Sequence, residues 1–403
     1  AHCLKNILIL PSGFKDLKSA TQVAQAIKTG VANSLPHASI KAIPIPDGGE
    51  DTAHILAEQT QGRIIQTTVT GPLGQPIPSH FAMLGGAYQH VAVIEMAAAA
   101  GLKLIPFDQR NPMLTTSFGV GELIKAALAE GAKKIIVGCG DSGVSDGGIG
   151  ALQALGVNIT DQANQNVQLG GQALQDVAQI DYAGLLPQLC QQKVELKLAL
   201  NPFNILCGPR GVAPVFGPQK GASPEQVEQL SKGLENWAKH LKNHHLNPIK
   251  NFDFSYASGT GASGGLGAGL AAIGAKLCPR FDVFLGEELL GYDLDAHIER
   301  ADLIITAEGA LDCQTLRGKV PAEIASRAAK HHKPVLALAG TLGQDANCVY
   351  DIGIDAMSSI LPRPMSLEDA ILQSETLVIQ ATERLIKSVL LGVKIAYKQQ
   401  LVV

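Results

Sequence analysis

Residues 133–156, KKIIVGCGDSGVSDGGIGALQALG, constrain the fold more than any other part of the chain. The apolar run 135–137 predicts a buried strand, the loop 138–148 is rich in glycine, and apolar residues then recur at helical spacing. A strand, a glycine loop and a helix in this order aim backbone N–H groups and the positive end of a helix dipole at an anion. Because the loop also carries Asp141 and Asp146, we expect a metal-bound phosphate, since Mg²⁺ can bridge carboxylate and phosphate oxygens.

Strand and helix patterns alternate over residues 1–72 and again over residues 290–403. This rhythm predicts a Rossmann-like, doubly wound parallel sheet assembled from two separate parts of the chain. A turn-rich segment, GPLGQPIP, interrupts the rhythm, and residues 73–289 are predicted to form an inserted second domain. The predicted fold class is therefore α/β, with a discontinuous Rossmann-like domain, an inserted α/β domain and the active site in the cleft between them.

The same patterns give expectations for individual elements. Residues 64–69 are predicted to be a third strand of the first parallel sheet, and residues 281–285 a strand. The run 208–221, GPRGVAPVFGPQKG, is predicted to be loop, and residues 367–390 one long closing helix. The sequence Ser223-Pro-Glu-Gln predicts a capped helix start.

Composition narrows the class of protein. The 403 residues suffice for two domains, and 46% hydrophobic with 17% charged residues is typical of a globular chain. A net charge of -4 without a basic stripe argues against nucleic acid or a membrane surface as partner. Seven scattered cysteines without a C-x-x-C motif favour reduced thiols in a cytoplasmic enzyme. The sequence contains no apolar run long enough to span a membrane, and it leaves a homodimer open as an alternative to a monomer.

Two segments match the spacing G-x-G-x-x-G, one at Gly138, Gly140 and Gly143 and the other at Gly259, Gly261 and Gly264. In a chain with 43 glycines this spacing is a weak signal for dinucleotide binding, and glycines needed only for tight turns are the alternative interpretation. Asp141 inside the first loop also argues against a bare pyrophosphate. The sequence lacks a Walker A motif, the protein-kinase motifs, G-x-S-x-G and H-E-x-x-H, which disfavours the enzyme classes that carry them.

Charged residues follow several predicted strands, among them Lys15, Asp47, Glu308, Asp312 and Lys319. Open α/β sheets place ligand-binding groups just past the carboxyl ends of their strands. Phosphoryl transfer needs a carboxylate to accept a hydroxyl proton, carboxylates on Mg²⁺, and Lys or Arg on the transferring group. For each residue alone, a helix cap or a solvated surface charge is the alternative interpretation.

Ten segments in order resemble the bacterial glycerate kinase family of the two-domain type. They are GFKDLKSA (13–20), PDGGEDT (46–52), GPLG (71–74), EMAAAAGL (95–102), NPMLTTSFGVGELI (111–124), GDSGVSDGGIGALQALG (140–156), VFGPQKGA (215–222), GTGASGGLGAGL (259–270), ITAEGALDCQTLRGKVP (305–321) and GIDAMSSILPRPMSLEDA (353–370). The resemblance implies ATP- and Mg²⁺-dependent phosphorylation of D-glycerate, with 2-phosphoglycerate as product. The alternatives are 3-phosphoglycerate as product or a related small hydroxy acid as substrate.

The chain departs from the family pattern at several positions. The family usually has glycine at Asp16, Asp51 and Asp141, Asp at Asn201 and Arg at Ala310. The lost arginine and the gained carboxylates make the predicted site less attractive to anions. Two rival hypotheses therefore remain, a non-catalytic binder of a phosphorylated metabolite and a dinucleotide-dependent oxidoreductase.

The kinase hypothesis assigns a role to each candidate residue. The catalytic candidates are Lys15, Asp47, Asp312 and Lys319, with Lys15 on the transferring phosphoryl group and Asp47 or Asp312 as the base. The candidate magnesium ligands are Asp146 and Glu308. The residues expected to cradle the ATP phosphates are Gly138, Gly140, Ser142, Gly259, Gly261, Gly264 and Gly265.

Overall fold

The computed structural model describes residues 4–15, 17–243, 245–286, 289 and 293–400. The chain divides into two compact units. Unit 1 combines residues 1–47 with 285–403, and unit 2 spans residues 48–284. The domain limits predicted from sequence, 1–72 with 290–403 and 73–289, stay a prediction, and residue 290 lies outside the described residues.

Unit 1 is an α/β sandwich around a parallel sheet. Its strands are β1 (Asn6–Pro11), β2 (Ser39–Ala42), β11 (Leu303–Leu311), β12 (Val335–Leu342) and β13 (Ala356–Ser359), with labels that run in chain order. Its helices are α1 (Ala20–Ser34), α11 (Leu294–Arg300), α12 (Val320–Ala329), α13 (Leu367–Leu372) and α14 (Ser374–Gln400). The strand order is β13-β12-β11-β1-β2, and every pairing is parallel. This topology confirms the predicted α/β class with a parallel sheet.

Unit 2 contains a mixed sheet and a short hairpin. Its strands are β3 (Arg63–Thr70), β4 (Pro76–Met83), β5 (Val91–Glu95), β6 (Lys134–Gly138), β7 (Asn158–Thr160), β8 (Gln179–Asp181), β9 (Glu195–Leu200) and β10 (Lys276–Pro279). Its helices are α2 (Thr52–Thr60), α3 (Ala97–Ala100), α4 (Phe118–Ala129), α5 (Ile149–Ala154), α6 (Pro187–Cys190), α7 (Val212–Phe216), α8 (Pro224–Leu241), α9 (Ala262–Ala271) and α10 (Arg280–Phe284). The main sheet has the order β10-β9-β6-β5-β4-β3, in which β10, β9, β6 and β5 are parallel and β4 is antiparallel to both neighbours.

The assignment of residues 64–69 to the first parallel sheet is wrong. This segment is β3, which pairs antiparallel with β4 in unit 2. The tight turn between the two strands is closed by a 2.7 Å hydrogen bond from Gly71 N–H to the Gln75 carbonyl. Antiparallel strands can be joined by such a short turn, whereas a parallel neighbour would need a crossover connection.

Three local expectations are also wrong. Residues 280–284 form α10 where a strand was predicted, because a short apolar run has no period that separates the two states. The segment 212–216 forms the short helix α7 between glycine-rich flanks that predicted only loop. The closing helix is two helices, since α13 ends at Leu372 before α14 begins.

The local sequence correctly predicted the start of α8. The Ser223 side chain accepts the Gln226 N–H at 3.3 Å, while the Gln226 side chain accepts the Ser223 N–H at 2.9 Å. This reciprocal capping box, with proline at the first helical position, satisfies backbone donors that would otherwise lack partners. The helix buries Trp237 completely against the core of unit 2. Within the described residues, no helix is both long and apolar enough to cross a membrane.

Candidate active site

Two glycine loops of unit 2 pack directly against each other. The first, residues 138–148, joins β6 to α5, and the second, residues 259–267, enters α9. Gly147 N–H donates to the Gly264 carbonyl at 2.9 Å, and Gly140 N–H donates to Ser263 Oγ at 3.1 Å. The two G-x-G-x-x-G segments, which lie more than a hundred residues apart in the chain, therefore form one substructure.

The contact between the loops leaves no space for a side chain. A Cβ at Gly264 would lie 1.9 Å from the Val144 carbonyl oxygen, and one at Gly265 would lie 2.7 Å from Gly147 Cα. Gly264 has φ of 68° and Gly265 has φ of 94°, in the left-handed region that favours glycine. Even Ser263 is left-handed, with φ of 52°. The glycines are required by both backbone conformation and close approach.

Asp146 organises the first loop from inside. Its Oδ2 accepts the Ser117 N–H at 2.9 Å, the Ser117 hydroxyl at 2.8 Å and the Gly150 N–H at 3.3 Å, while Oδ1 accepts the Gly148 N–H at 3.2 Å. The residue is 0% exposed. Burial raises the pKa of the Asp146 carboxyl, and the hydrogen bonds from Ser117, Gly148 and Gly150 oppose that rise. The carboxylate thus ties the start of α5 to the segment before α4, and its role as a magnesium ligand stays a prediction.

Lys220 is a buried cation under the same loop. Its ammonium donates to Ser142 Oγ at 3.0 Å and to the Val144 carbonyl, and the residue is 5% exposed. Burial lowers the pKa of Lys220 to about 7, although the negative charge of Asp146 opposes the decrease. Lys220 is not among the site residues predicted from the sequence. The signal that could have found it is its place in VFGPQKGA, one of the ten segments quoted above.

The remaining predicted phosphate-binding residues lie in the same substructure. Gly138 ends β6, and a Cβ there would lie 2.5 Å from the carbonyl oxygen of Gly48. A Cβ at Gly261 would lie 2.1 Å from the Ile205 carbonyl oxygen, and Gly259 has φ of 85°. All seven residues predicted to bind the ATP phosphates thus lie on the paired loops, and their contact with nucleotide stays a prediction.

The charged candidates of unit 1 gather at the carboxyl end of the parallel sheet. Glu308 Oε1 lies 3.9 Å from Lys319 Nζ, with 18% and 35% of these side chains exposed. Asp312 follows β11 directly, and its Oδ1 accepts the Gln314 N–H at 2.8 Å. Lys15 follows β1, which pairs with β11. Its backbone nitrogen lies 3.3 Å from the position that a Cβ would take if one were added to Gly309 of β11. Glu308 and Lys319 therefore form an ion pair, while Asp312 and Lys15 follow the neighbouring strands β11 and β1. The catalytic and metal-binding roles of these four residues stay predictions.

Position 310 lies within this cluster. Side chains alternate along a strand, so Glu308 and Ala310 share one face of β11. The small Ala310 side chain therefore stands beside the carboxylate cluster where the family usually carries arginine. Asp47, the other candidate base, is half-buried at the end of unit 1 and is followed directly by Gly48.

Both sites offer the groups that a phosphotransferase uses. The paired loops contain glycines and the buried Lys220, and the strand-end cluster contains carboxylates and lysines, the residue types that phosphoryl transfer needs. The fold and these two groups of residues define the class, an α/β kinase of the kind that acts on small molecules.

Comparison with known proteins identifies the family. The sequence profile of the Glycerate kinase family matches residues 7–390. The chain is 42% identical to a protein of Bacillus subtilis named glycerate kinase over 365 residues, which cover 90% of this chain and 92% of that protein. It is 37% identical to a protein of Escherichia coli named glycerate 2-kinase over 389 residues, which cover 96% and 99% of the two chains. The chain therefore belongs to the glycerate kinase family.

A solved structure agrees with this assignment. The crystal structure of a protein proposed to be glycerate kinase 2 from Salmonella typhimurium is similar with a TM-score of 0.78 and 37% sequence identity. The match covers 97% of this chain and all of the other chain. The α/β fold described above is thus shared by an experimentally determined relative.

Proposed function

We propose that the protein transfers the γ-phosphoryl group of ATP to the 2-hydroxyl of D-glycerate, which gives 2-phosphoglycerate and ADP, with Mg²⁺ as cofactor. The observation that carries the proposal is the strand-end cluster of Lys15, Glu308, Asp312 and Lys319 in a member of the glycerate kinase family. The similar protein of Escherichia coli is named glycerate 2-kinase, which favours the 2-hydroxyl.

The chemistry of the donor atoms supports a magnesium site in unit 1. Mg²⁺ binds carboxylate oxygens and keeps several waters, so a ligand has to be accessible. The Glu308 side chain is 18% exposed and its carboxylate lies at the strand end, whereas Asp146 is fully buried with hydrogen bonds on both oxygens. Glu308 therefore fits the metal and Asp146 supports the loop. When bound, Mg²⁺ neutralises charge on the phosphate oxygens.

The paired loops suit the phosphates of ATP. Glycine lets a ligand approach the backbone closely, and the N–H groups of Gly140, Gly147 and Gly148 already donate within unit 2. The buried Lys220 supports the first loop, because its Nζ donates to Ser142 Oγ. In unit 1, Lys15 and Lys319 stabilise charge on the transferring phosphoryl group, and Asp312 or Asp47 accepts the proton of the substrate hydroxyl.

A coupled assay of ADP release tests the proposal. We expect turnover only when ATP, Mg²⁺ and D-glycerate are all present, and loss of turnover on addition of EDTA. The variant Lys319→Met should lower kcat at least about 100-fold, because it removes charge stabilisation from the transition state. The matched control is Lys232→Met, since Lys232 is an exposed lysine of α8 whose side chain is 71% exposed.

Two other outcomes would identify the alternatives. Tight binding of nucleotide without turnover over a panel of small hydroxy acids would favour a non-catalytic binder, which the absence of arginine at Ala310 motivates. Protection from thermal unfolding by NADH and not by Mg-ATP would favour an oxidoreductase. Either result would refute the kinase proposal.

A further inference from the structure

Three metal-binding side chains of unit 2 converge outside the residues assigned above. They are His54 on α2, His80 on β4 and Glu95 at the end of β5. Their ligand atoms, one from each residue, all lie within 4.8 Å of one another. Each side chain comes from a different element of the sheet and its covering helix, so the tertiary fold creates the cluster.

His80 Nε2 forms an ion pair with Glu95 but makes no hydrogen bond within the described part of the chain. This nitrogen atom is buried. The nearest acid oxygen, Glu95 Oε2, is 3.9 Å away, which is too long for a hydrogen bond. A buried polar atom left in this state costs free energy. A metal ion would remove that cost, since it binds imidazole nitrogen at about 2.0–2.1 Å.

Glu95 is already held in place for such a role. Its Oε2 accepts the Ala53 N–H at 2.8 Å, and its side chain is 3% exposed. Ligating carboxylates are typically oriented by hydrogen bonds of this kind. His54 directly follows Ala53 in the first turn of α2 and is exposed, and its ring centroid lies 4.9 Å from that of His80. The exposed imidazole can move into position without disturbing the core.

We propose that His54, His80 and Glu95 form a binding site for a borderline transition-metal ion such as Zn²⁺ or Co²⁺. Two imidazoles and one carboxylate are a donor set that suits Zn²⁺ and Co²⁺, whereas Mg²⁺ prefers oxygen ligands. In a tetrahedral site with bonds of about 2.0–2.1 Å, ligand atoms are about 3.4 Å apart. His80 Nε2 and Glu95 Oε2 are 3.9 Å apart and the three ligand atoms spread to 4.8 Å, so the side chains have to approach one another by up to about 1.4 Å. A water completes the coordination.

The site is joined to the glycine loops through short connections. Glu95 is paired with Gly138 in the β5–β6 register, and the Met96 N–H donates to the Gly138 carbonyl at 2.9 Å. The Ala53 N–H that holds Glu95 belongs to the segment that begins at Gly48, which packs against Gly138. The inference does not depend on the proposed kinase activity, because its ligands and its test are separate.

Titration of the EDTA-treated full chain with Co²⁺ tests the site. We expect one equivalent to bind in the presence of excess Mg²⁺, with visible absorption of a tetrahedral nitrogen–oxygen site and no near-ultraviolet thiolate band. The variants His54→Gln and His80→Gln should each raise the Kd about 100-fold or more, since even outer-shell partners change affinity 10–100-fold. The matched control, His90→Gln, changes an exposed histidine of the same unit and should bind as the wild type does.

Three results would overturn the proposal. They are binding that is equal in all four proteins, a thiolate spectrum, or no binding of Co²⁺ and Zn²⁺ below millimolar concentration. Circular dichroism and Trp237 fluorescence establish that each variant is folded. Because His54 is exposed, His54→Gln keeps the test valid even where His80→Gln unfolds.

Discussion

The contact between the glycine loops predicts a large effect for Gly264→Ala. The new Cβ would lie 1.9 Å from the Val144 carbonyl oxygen, so the loops have to separate. Left-handed backbone costs a residue with a Cβ about 1–2 kcal/mol, and overpacking of this kind costs about 1–3 kcal/mol. We therefore expect the free energy of unfolding to fall by about 2–5 kcal/mol.

Gly131→Ala is the matched control for the backbone contribution. Gly131 also lies in unit 2 with φ of 89°, but a Cβ there would meet no atom within 4 Å. This variant should lose only the backbone cost of about 1–2 kcal/mol. The difference between the two variants isolates the contact between the loops.

Urea unfolding followed by tryptophan fluorescence measures both variants. The chain has one tryptophan, Trp237, which is buried and donates its Nε1–H to the Gly147 carbonyl at 2.9 Å, so its emission reports on the loop region. At temperatures where both variants are folded, Gly264→Ala should also raise the KM for ATP. Equal loss of stability in the two variants, with KM unchanged, would refute the packing argument.

Three further predictions concern the charged groups. Burial holds the pKa of Lys220 at about 7 in the folded chain, against an ordinary value of 10.5. Between these two pH values the unfolded chain binds a proton that the folded chain has released, so the free energy of unfolding rises with pH. From pH 7 to pH 9 the free energy of unfolding should rise by about 2 kcal/mol less in Lys220→Met than in wild type, as urea unfolding measures it. Lys232→Met should follow wild type, and parallel profiles for Lys220→Met and wild type would contradict the lowered pKa of Lys220. Asp146→Asn should lower the free energy of unfolding by about 1–3 kcal/mol. It should leave the Mg²⁺ concentration for half-maximal turnover unchanged, and a change in that concentration would show that Asp146 is a magnesium ligand. Glu308→Gln should lower turnover at least about 100-fold and raise the Mg²⁺ concentration for half-maximal turnover. The free energy of unfolding should change by no more than about 0.5 kcal/mol. An unchanged Mg²⁺ requirement would show that Glu308 is not a magnesium ligand.

Local patterns predicted much of the fold. The strand, glycine loop and helix around residues 133–156 are present as β6, the loop and α5, because each depends on its own composition and period. The start of α8 was predictable from a reciprocal cap that four consecutive residues encode. The sheet to which β3 belongs was not predictable in this way, because pairing depends on a partner strand.

The site shows the same division between local and long-range information. The contact between Glu308 and Lys319 agrees with their strand-end positions, since a parallel sheet brings such ends to one edge, and their grouping with Asp312 in one site stays a prediction. The surroundings of Asp146 depend on Ser117, which lies 29 residues away in the chain. The position of Lys220 depends on a contact across 78 residues. Single-sequence patterns do not carry such contacts, so the buried environment of both charges became visible only in the fold.

Phosphorus NMR of the product formed from ATP and D-glycerate tests the proposed activity most directly. Phosphate on the 2-hydroxyl couples to one proton on its carbon and gives a doublet, whereas phosphate on the 3-hydroxyl couples to two and gives a triplet. We predict a doublet that requires enzyme, Mg²⁺ and D-glycerate. A triplet would contradict the assignment of the 2-hydroxyl, and a spectrum with no new ester signal would contradict glycerate phosphorylation itself.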